Sequence, residues 1–175
     1  MPRILLIEVF DDQFEKVGFY TIRDEDRENS ETDRFIARYY DPDSSTYEPG
    51  FEEACELILL WIEEIGKRGL KVIRPRAEND AEALPPKPGT VQKLDLERPP
   101  LRLYYVRLSD QVVVLCGGEK KTGKDNQESG TLMTHFRLAN AVAEKLTEMM
   151  QDGEIWTNDT VLEGDEEEMV IFLKA

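Results

Sequence analysis

The chain has 175 residues, with 37 acidic against 22 basic residues, a formal net charge of −15 and a sequence pI near 4.5. Its length suits a single domain over 1–175, and its acid excess makes most of the surface repel nucleic acid while favouring a basic partner. A single histidine, His135, and two cysteines without paired CxxC spacing exclude a histidine-rich metal site and a zinc ribbon.

The first apolar run, Ile4 to Ile7, is too short for a signal-peptide core and is followed by acids, so Ile4 to Phe10 reads as a strand. No stretch reaches the ~18 apolar residues of a membrane span, and a cytoplasmic chain is the expectation. Val17 to Arg23 reads as a second extended segment, carrying Phe19, Tyr20 and Ile22. After a charged turn, Ser30 with Asp33 three residues on is an N-cap, and the helix it starts brings Phe35, Ile36 and Tyr39 to one side. Asp41 to Gly50 is rich in proline, serine and glycine, and reads as loop.

Phe51 to Ile65 is the clearest helix. Phe51, Cys55, Ile58, Ile62 and Ile65 recur at three- and four-residue spacing, with glutamates on the solvent side. Gly66 and Gly69 read as its stops, Leu70 to Ile73 as a short strand, and Pro75 to Gly89 as a surface excursion. Val91 to Leu96 alternates like a strand. Leu101 to Leu108 alternates again, putting Arg102, Tyr104, Val106 and Leu108 on one face. Ser109-Asp110 is a two-residue turn, and Gln111 to Cys116 is a β-branched run of the kind that forms a buried central strand. Gly117-Gly118 breaks that strand, and Lys120, Lys121 and Lys124 follow in a loop. Asp125 to Gly130 is a polar linker and Leu132 to Met150 a second long helix, closed by Gly153. Ile155 to Thr157 is extended, Glu163 to Glu168 is an acidic run, and Met169 to Leu173 is a final strand. Cys55 and Cys116 read as small buried core residues in a reducing compartment, and Trp61 and Trp156 as packing residues. The order of elements predicts an α+β fold with a central, mainly antiparallel sheet flanked by helices.

Two motifs carry chemistry. Gly118 to Asp125 approaches the phosphate-loop pattern GxxxxGK followed by Ser or Thr, but Asp125 stands where a hydroxyl must bind magnesium and the helix starts several residues late, both of which argue against the motif. The hairpin from Leu101 to Lys124 is the other. Leu101-Arg102-Leu103-Tyr104-Tyr105, a turn, and Leu115-Cys116-Gly117-Gly118-Glu119-Lys120-Lys121-Thr122-Gly123-Lys124 resemble the paired strands of the RelE/HigB/ParE-like toxin superfamily, whose HigB-type members carry YRVLY and then LHGFVKKTQK. The strand Val91 to Leu96, with Lys93, and the helix before it fit the family's upstream elements.

This resemblance implies a RelE-like core over about 51–150, with an N-terminal elaboration and a C-terminal extension at 151–175. It implies a toxin-like component of a bacterial toxin–antitoxin module, paired with an antitoxin protein and acting on ribosome-bound messenger RNA as a metal-independent endoribonuclease or as an inactive relative. No cofactor and no metal is implied. In such a reaction a ribose 2′-hydroxyl attacks the adjacent phosphate, and cations stabilise the charge that develops. Arg102, with a bidentate fork for phosphate, and Lys120 and Lys121 take the family's catalytic cation positions. Lys93, Tyr104 and Lys124 are the RNA-binding candidates, Tyr104 through base stacking. The chain is longer and far more acidic than the family's small basic members, which leaves a second class open: a non-enzymatic acidic binding protein that docks a basic partner or mimics nucleic acid.

Overall fold

The computed structural model describes residues 2–78, 80–87, 100–121 and 130–174. In chain order the elements are β1 (Arg3–Asp11), β2 (Gly18–Asp24), α1 (Glu31–Tyr40), α2 (Glu52–Arg68), a 3-10 turn (Leu70–Val72), β3 (Arg74–Glu78), β4 (Ala81–Lys87), β5 (Leu101–Ser109), β6 (Val112–Lys120), α3 (Gly130–Gln151), β7 (Ile155–Asn158), β8 (Val161–Gly164) and β9 (Met169–Leu173). Seven strands form one sheet in the order β3-β4-β5-β6-β2-β1-β9, while β7 and β8 form a separate hairpin. Every neighbouring pair in the sheet is antiparallel except β2 and β6, which run parallel. The fold is α+β, with helices on both faces of a mainly antiparallel sheet.

Strand alternation sorts the core into two layers. Phe19, Leu84, Leu101, Leu103, Tyr105, Val113 and Leu115 face α1 and α2, where they meet Phe35, Tyr39, Cys55, Ile58 and Ile65. Tyr20, Ile22, Tyr104, Val106, Val112, Val114 and Cys116 face α3, where they meet Ala139, Val142 and Leu146. The unbroken apolar run in β6 follows from this arrangement, because a strand covered on both faces has no polar side to show. The α1 start is capped as the sequence predicts, with the Ser30 hydroxyl accepting from the Asp33 N–H at 3.0 Å. Cys55 and Cys116 are buried free thiols, and burial pushes the Cys55 thiol up to about 12.

Several expectations are corrected. Gly117-Gly118 does not end the central strand: β6 runs on to Lys120, with a register shift opposite Tyr104 and Tyr105 where Gly117 takes φ +89. A bulge absorbs one extra residue without ending the ladder. The stretch Pro75 to Gly89 is not a surface excursion, since it contributes to β3 and to β4, and β4 is buried along most of its length. Pro85 and Pro86 sit past Leu84, the last β4 residue that pairs with β5, so their missing N–H groups cost the β4–β5 ladder nothing. Leu70 to Val72 is a 3-10 turn rather than a strand. Gly66 does not stop α2. The helix passes through it, and a Cβ there would stand 2.3 Å from the Phe14 ring, so the glycine makes room for that ring; Gly69, at φ +97, is the stop. The β5–β6 turn is Asp110-Gln111, one residue later than predicted. Trp156 is 41% exposed and donates from Nε1 to Glu163 instead of packing inside. The strand Val91 to Leu96 and the linker 125–129 lie outside the described residues. Among the described residues, no helix is long and apolar enough to cross a membrane.

Candidate functional site

The parallel pair β2 and β6 creates the site. Their ladder ends at Thr21 opposite Leu115. Beyond it the two strands part, because β2 leads to α1 on one face of the sheet and β6 leads to α3 on the other. Parallel neighbours whose following helices leave to opposite faces open a crevice at their carboxyl ends. The N-terminal turn of α1 is tied into this fork: the Thr21 and Thr32 hydroxyls lie 2.7 Å apart, and Thr21 Oγ1 donates to the Leu115 carbonyl at 3.0 Å. The crevice is a cleft of ≈ 440 Å³ whose lining includes Arg27, Glu31, Arg34, Arg38, Gly118 and His135. Arginines therefore gather here in a chain of net charge −15.

Gly118 of β6 is part of its lining, with Gly117 beside it. A Cβ on Gly118 would stand 1.8 Å from the Arg102 carbonyl oxygen, so only glycine fits between the strands. A Cβ on Gly117 would meet Glu31 Oε2 at 3.3 Å and His135 Nδ1 at 3.5 Å. With Glu31 Cβ only 3.0 Å from that position as well, the absent side chain lets a carboxylate and an imidazole nitrogen close in over the β6 backbone. That Nδ1 has no hydrogen-bond partner among the described residues. Glu31 is buried and flanked by guanidinium groups, Arg34 at 3.3 Å and Arg3 at 3.6 Å.

Glu119 holds the site's wall together. Its carboxylate accepts from Arg38 Nη1 at 2.9 and 3.0 Å and from the Tyr39 hydroxyl, and lies 3.6 Å from His135 Nε2. Burial acts to raise its pKa, but contact with His135, the Tyr39 hydrogen bond and the Arg38 charge outweigh burial and bring it down to about 2. Burial and the adjoining Glu119 push the Tyr39 hydroxyl well above its ordinary range, so it stays a donor. One carboxylate that remains charged therefore fixes a helix on each side of the sheet, Arg38 and Tyr39 on α1 and His135 on α3.

The hairpin residues take other places. Arg102 is 6% exposed and stands across the β5–β6 ladder from Glu119, one strand in from the cleft's Glu119 wall. Tyr104 is fully buried, its ring edge-on to Phe136 with centroids 6.0 Å apart, which makes it a core residue and not an open stacking face. Lys120 Nζ is bound to Glu48 at 2.8 Å and lies 6.0 Å from the centre of the Phe51 ring. Lys121 follows the end of β6 and is half-buried. Lys93 and Lys124 lie outside the described residues.

Sequence reasoning missed His135, Glu31, Arg34 and Arg38. Part of the signal was present, since Glu31, Arg34 and Arg38 recur at helical spacing on one stripe of a capped helix. His135 had none, because only the fold brings it beside Glu119 and Gly117. No family model matches this chain, and neither the curated proteins nor the solved structures provide a significant match.

Proposed function

We propose that the chain is a toxin-like component of a bacterial toxin–antitoxin module that binds RNA in the α1–β6–α3 cleft and cuts it without a metal ion. One observation carries this reading: Arg27, Arg34 and Arg38 line one cleft together with Glu31 and His135. Cleavage of RNA by its own 2′-hydroxyl needs a base, an acid and cations on the phosphoryl oxygens. Glu31 takes the proton from the 2′-hydroxyl as its oxygen bonds to phosphorus. His135 gives a proton from Nδ1 to the departing 5′-oxygen as the old P–O bond breaks. The products are a 2′,3′-cyclic phosphate and a 5′-hydroxyl. Arg34 and Arg38, both partly exposed, bind the phosphate, Arg38 through Nη2, since its Nη1 is held by Glu119 and its Nε lies 3.2 Å from Glu48. Glu119 positions His135 and Arg38, and the hairpin's part is to bring Gly118 to the cleft and Glu119 behind its wall.

The test is inducible expression with pulse-labelling of protein synthesis, alongside cleavage of an RNA oligonucleotide by purified protein in excess chelator. The wild type blocks translation and cuts the RNA. His135→Ala and Arg34→Ala fold but lower cleavage, His135→Ala by ~10²–10⁴-fold as for the loss of a general acid and Arg34→Ala by ~10²–10³-fold as for the loss of a charge-stabilising donor. A wild type that neither blocks translation nor cuts RNA sinks the reading, as do variants that retain full activity. Loss of the block only in an Arg102→Ala, Lys120→Ala, Lys121→Ala variant would move the reaction to the hairpin end.

A further inference from the structure

We propose that the free edge of β9 is a docking site for an extended basic peptide of a partner protein, which joins the sheet as an eighth strand. β9 ends the strand order, and beyond it no strand pairs among the described residues. Its sequence, Met169 to Leu173, is wholly apolar and carries no proline. Its pairing with β1 runs without a bulge. Sheet edges ordinarily carry charge, proline or a bulge that blocks further pairing. The opposite edge follows that rule: β3 has two arginines and a proline in its sequence and an irregular register with β4. The β9 edge is left open by contrast.

Its surroundings define what fits. On the side away from α1 and α2, Leu5 and Ile171 are core. Their neighbours Ile4, Leu6, Val170 and Phe172 point to the other face, outside the core cluster that α1 and α2 cover there, and Phe172 is 58% exposed. Beside the strand runs a groove of ≈ 590 Å³, with Met149, Ile155 and Met169 among its apolar lining and Glu154 and the acidic run 165–168 along its rim. A strand laid against β9 alternates its side chains between the two faces of the sheet, beside a groove whose lining takes in Val170 and Phe172. Apolar residues there meet apolar floor, and lysines or arginines meet the acids. Charge selects a basic occupant over a second copy of this chain, whose net charge of −15 opposes self-association at an acidic rim.

The probe is a short peptide of alternating lysine and valine, titrated into the isotope-labelled full chain. Saturable binding is expected, with amide shifts concentrated at Met169 to Leu173. The variant Glu166→Gln, Glu167→Gln, Glu168→Gln weakens it by ~10-fold. A glutamate–valine peptide does not bind. N-methylation of one alternate set of peptide amides abolishes binding and the other set is tolerated, because only one edge of an added strand pairs. His135→Ala leaves the affinity unchanged, which separates this site from the cleft. Absence of binding overturns the proposal, as do equal effects of the two N-methyl sets or shifts spread over the acidic surface. A free protein that sediments as a dimer, and as a monomer once Phe172→Glu is introduced, overturns it too by assigning the edge to a second copy.

Discussion

At the scale of residues, Gly117 and Glu119 have separable jobs. Gly117 holds φ +89 and, lacking a side chain, lets Glu31 and His135 pack close over the β6 backbone. Gly117→Ala costs stability, ~1–2 kcal/mol for a side chain in the left-handed region, and its methyl displaces the Glu31 and His135 side chains. Cleavage per folded molecule therefore falls much further than the stability loss explains, which urea unfolding and RNA cleavage on the same preparation will show. Glu119 works through charge. Its pKa drops from an ordinary 4.5 to about 2 in the folded chain, so its contribution is complete above about pH 4.5 and is lost as pH falls towards about 2. Glu119→Gln removes that contribution at every pH. The gap in urea midpoint between wild type and Glu119→Gln is thus expected at pH 7 and narrows through this window; a gap that stays constant down to pH 2 contradicts the assignment.

At the scale of elements, what was legible in the sequence was whatever a local period writes. The stripe of α2, the alternation of β5 and the β-branched run of β6 each carry their burial in a short window. Gly117-Gly118 looks the same whether it ends a strand or bulges it, and only pairing with β5 decides. The prolines of β4 argue against a strand until the β5 ladder is known to end at Leu84. The cleft was legible only in its α1 half, because the meeting of His135 with Glu119 depends on how α3 packs back over β6. The β7–β8 hairpin depends on distant chain as well. Leu162 N–H donates to the Tyr20 hydroxyl at 2.9 Å, and Gly18 approaches so closely that a Cβ would stand 2.0 Å from the Thr160 carbonyl oxygen. Tyr20→Phe leaves that buried N–H unpaired and costs ~1–3 kcal/mol. Because the hairpin also forms a wall of the β9 groove through Ile155 and Gly164, amide exchange in this variant rises at 155–164 and 169–173 before it rises in α2.

At the scale of the whole molecule, the proposed function asks a chain of net charge −15 to bring a polyanion to a cleft lined by a few arginines. Two salt effects then oppose each other. Releasing counterions from the contacted phosphates makes RNA binding weaken as salt rises, with a slope of roughly −0.7 per phosphate on single strands. Screening the repulsion between RNA and the rest of the surface makes binding strengthen. With Arg27, Arg34 and Arg38 as the cleft's cations, the first effect sets a limit near −2 in a plot of log affinity against log salt. The second moves the measured slope towards zero. A shallow slope is therefore expected from binding titrations between low and physiological salt, and Arg34→Ala makes it shallower still. A slope steeper than about −2 requires more phosphate contacts than these arginines provide, and would return Lys93 and Lys124 to the interface. The folded chain responds in the opposite sense: added salt relieves its self-repulsion, so its urea midpoint rises over the same range in which RNA affinity changes little.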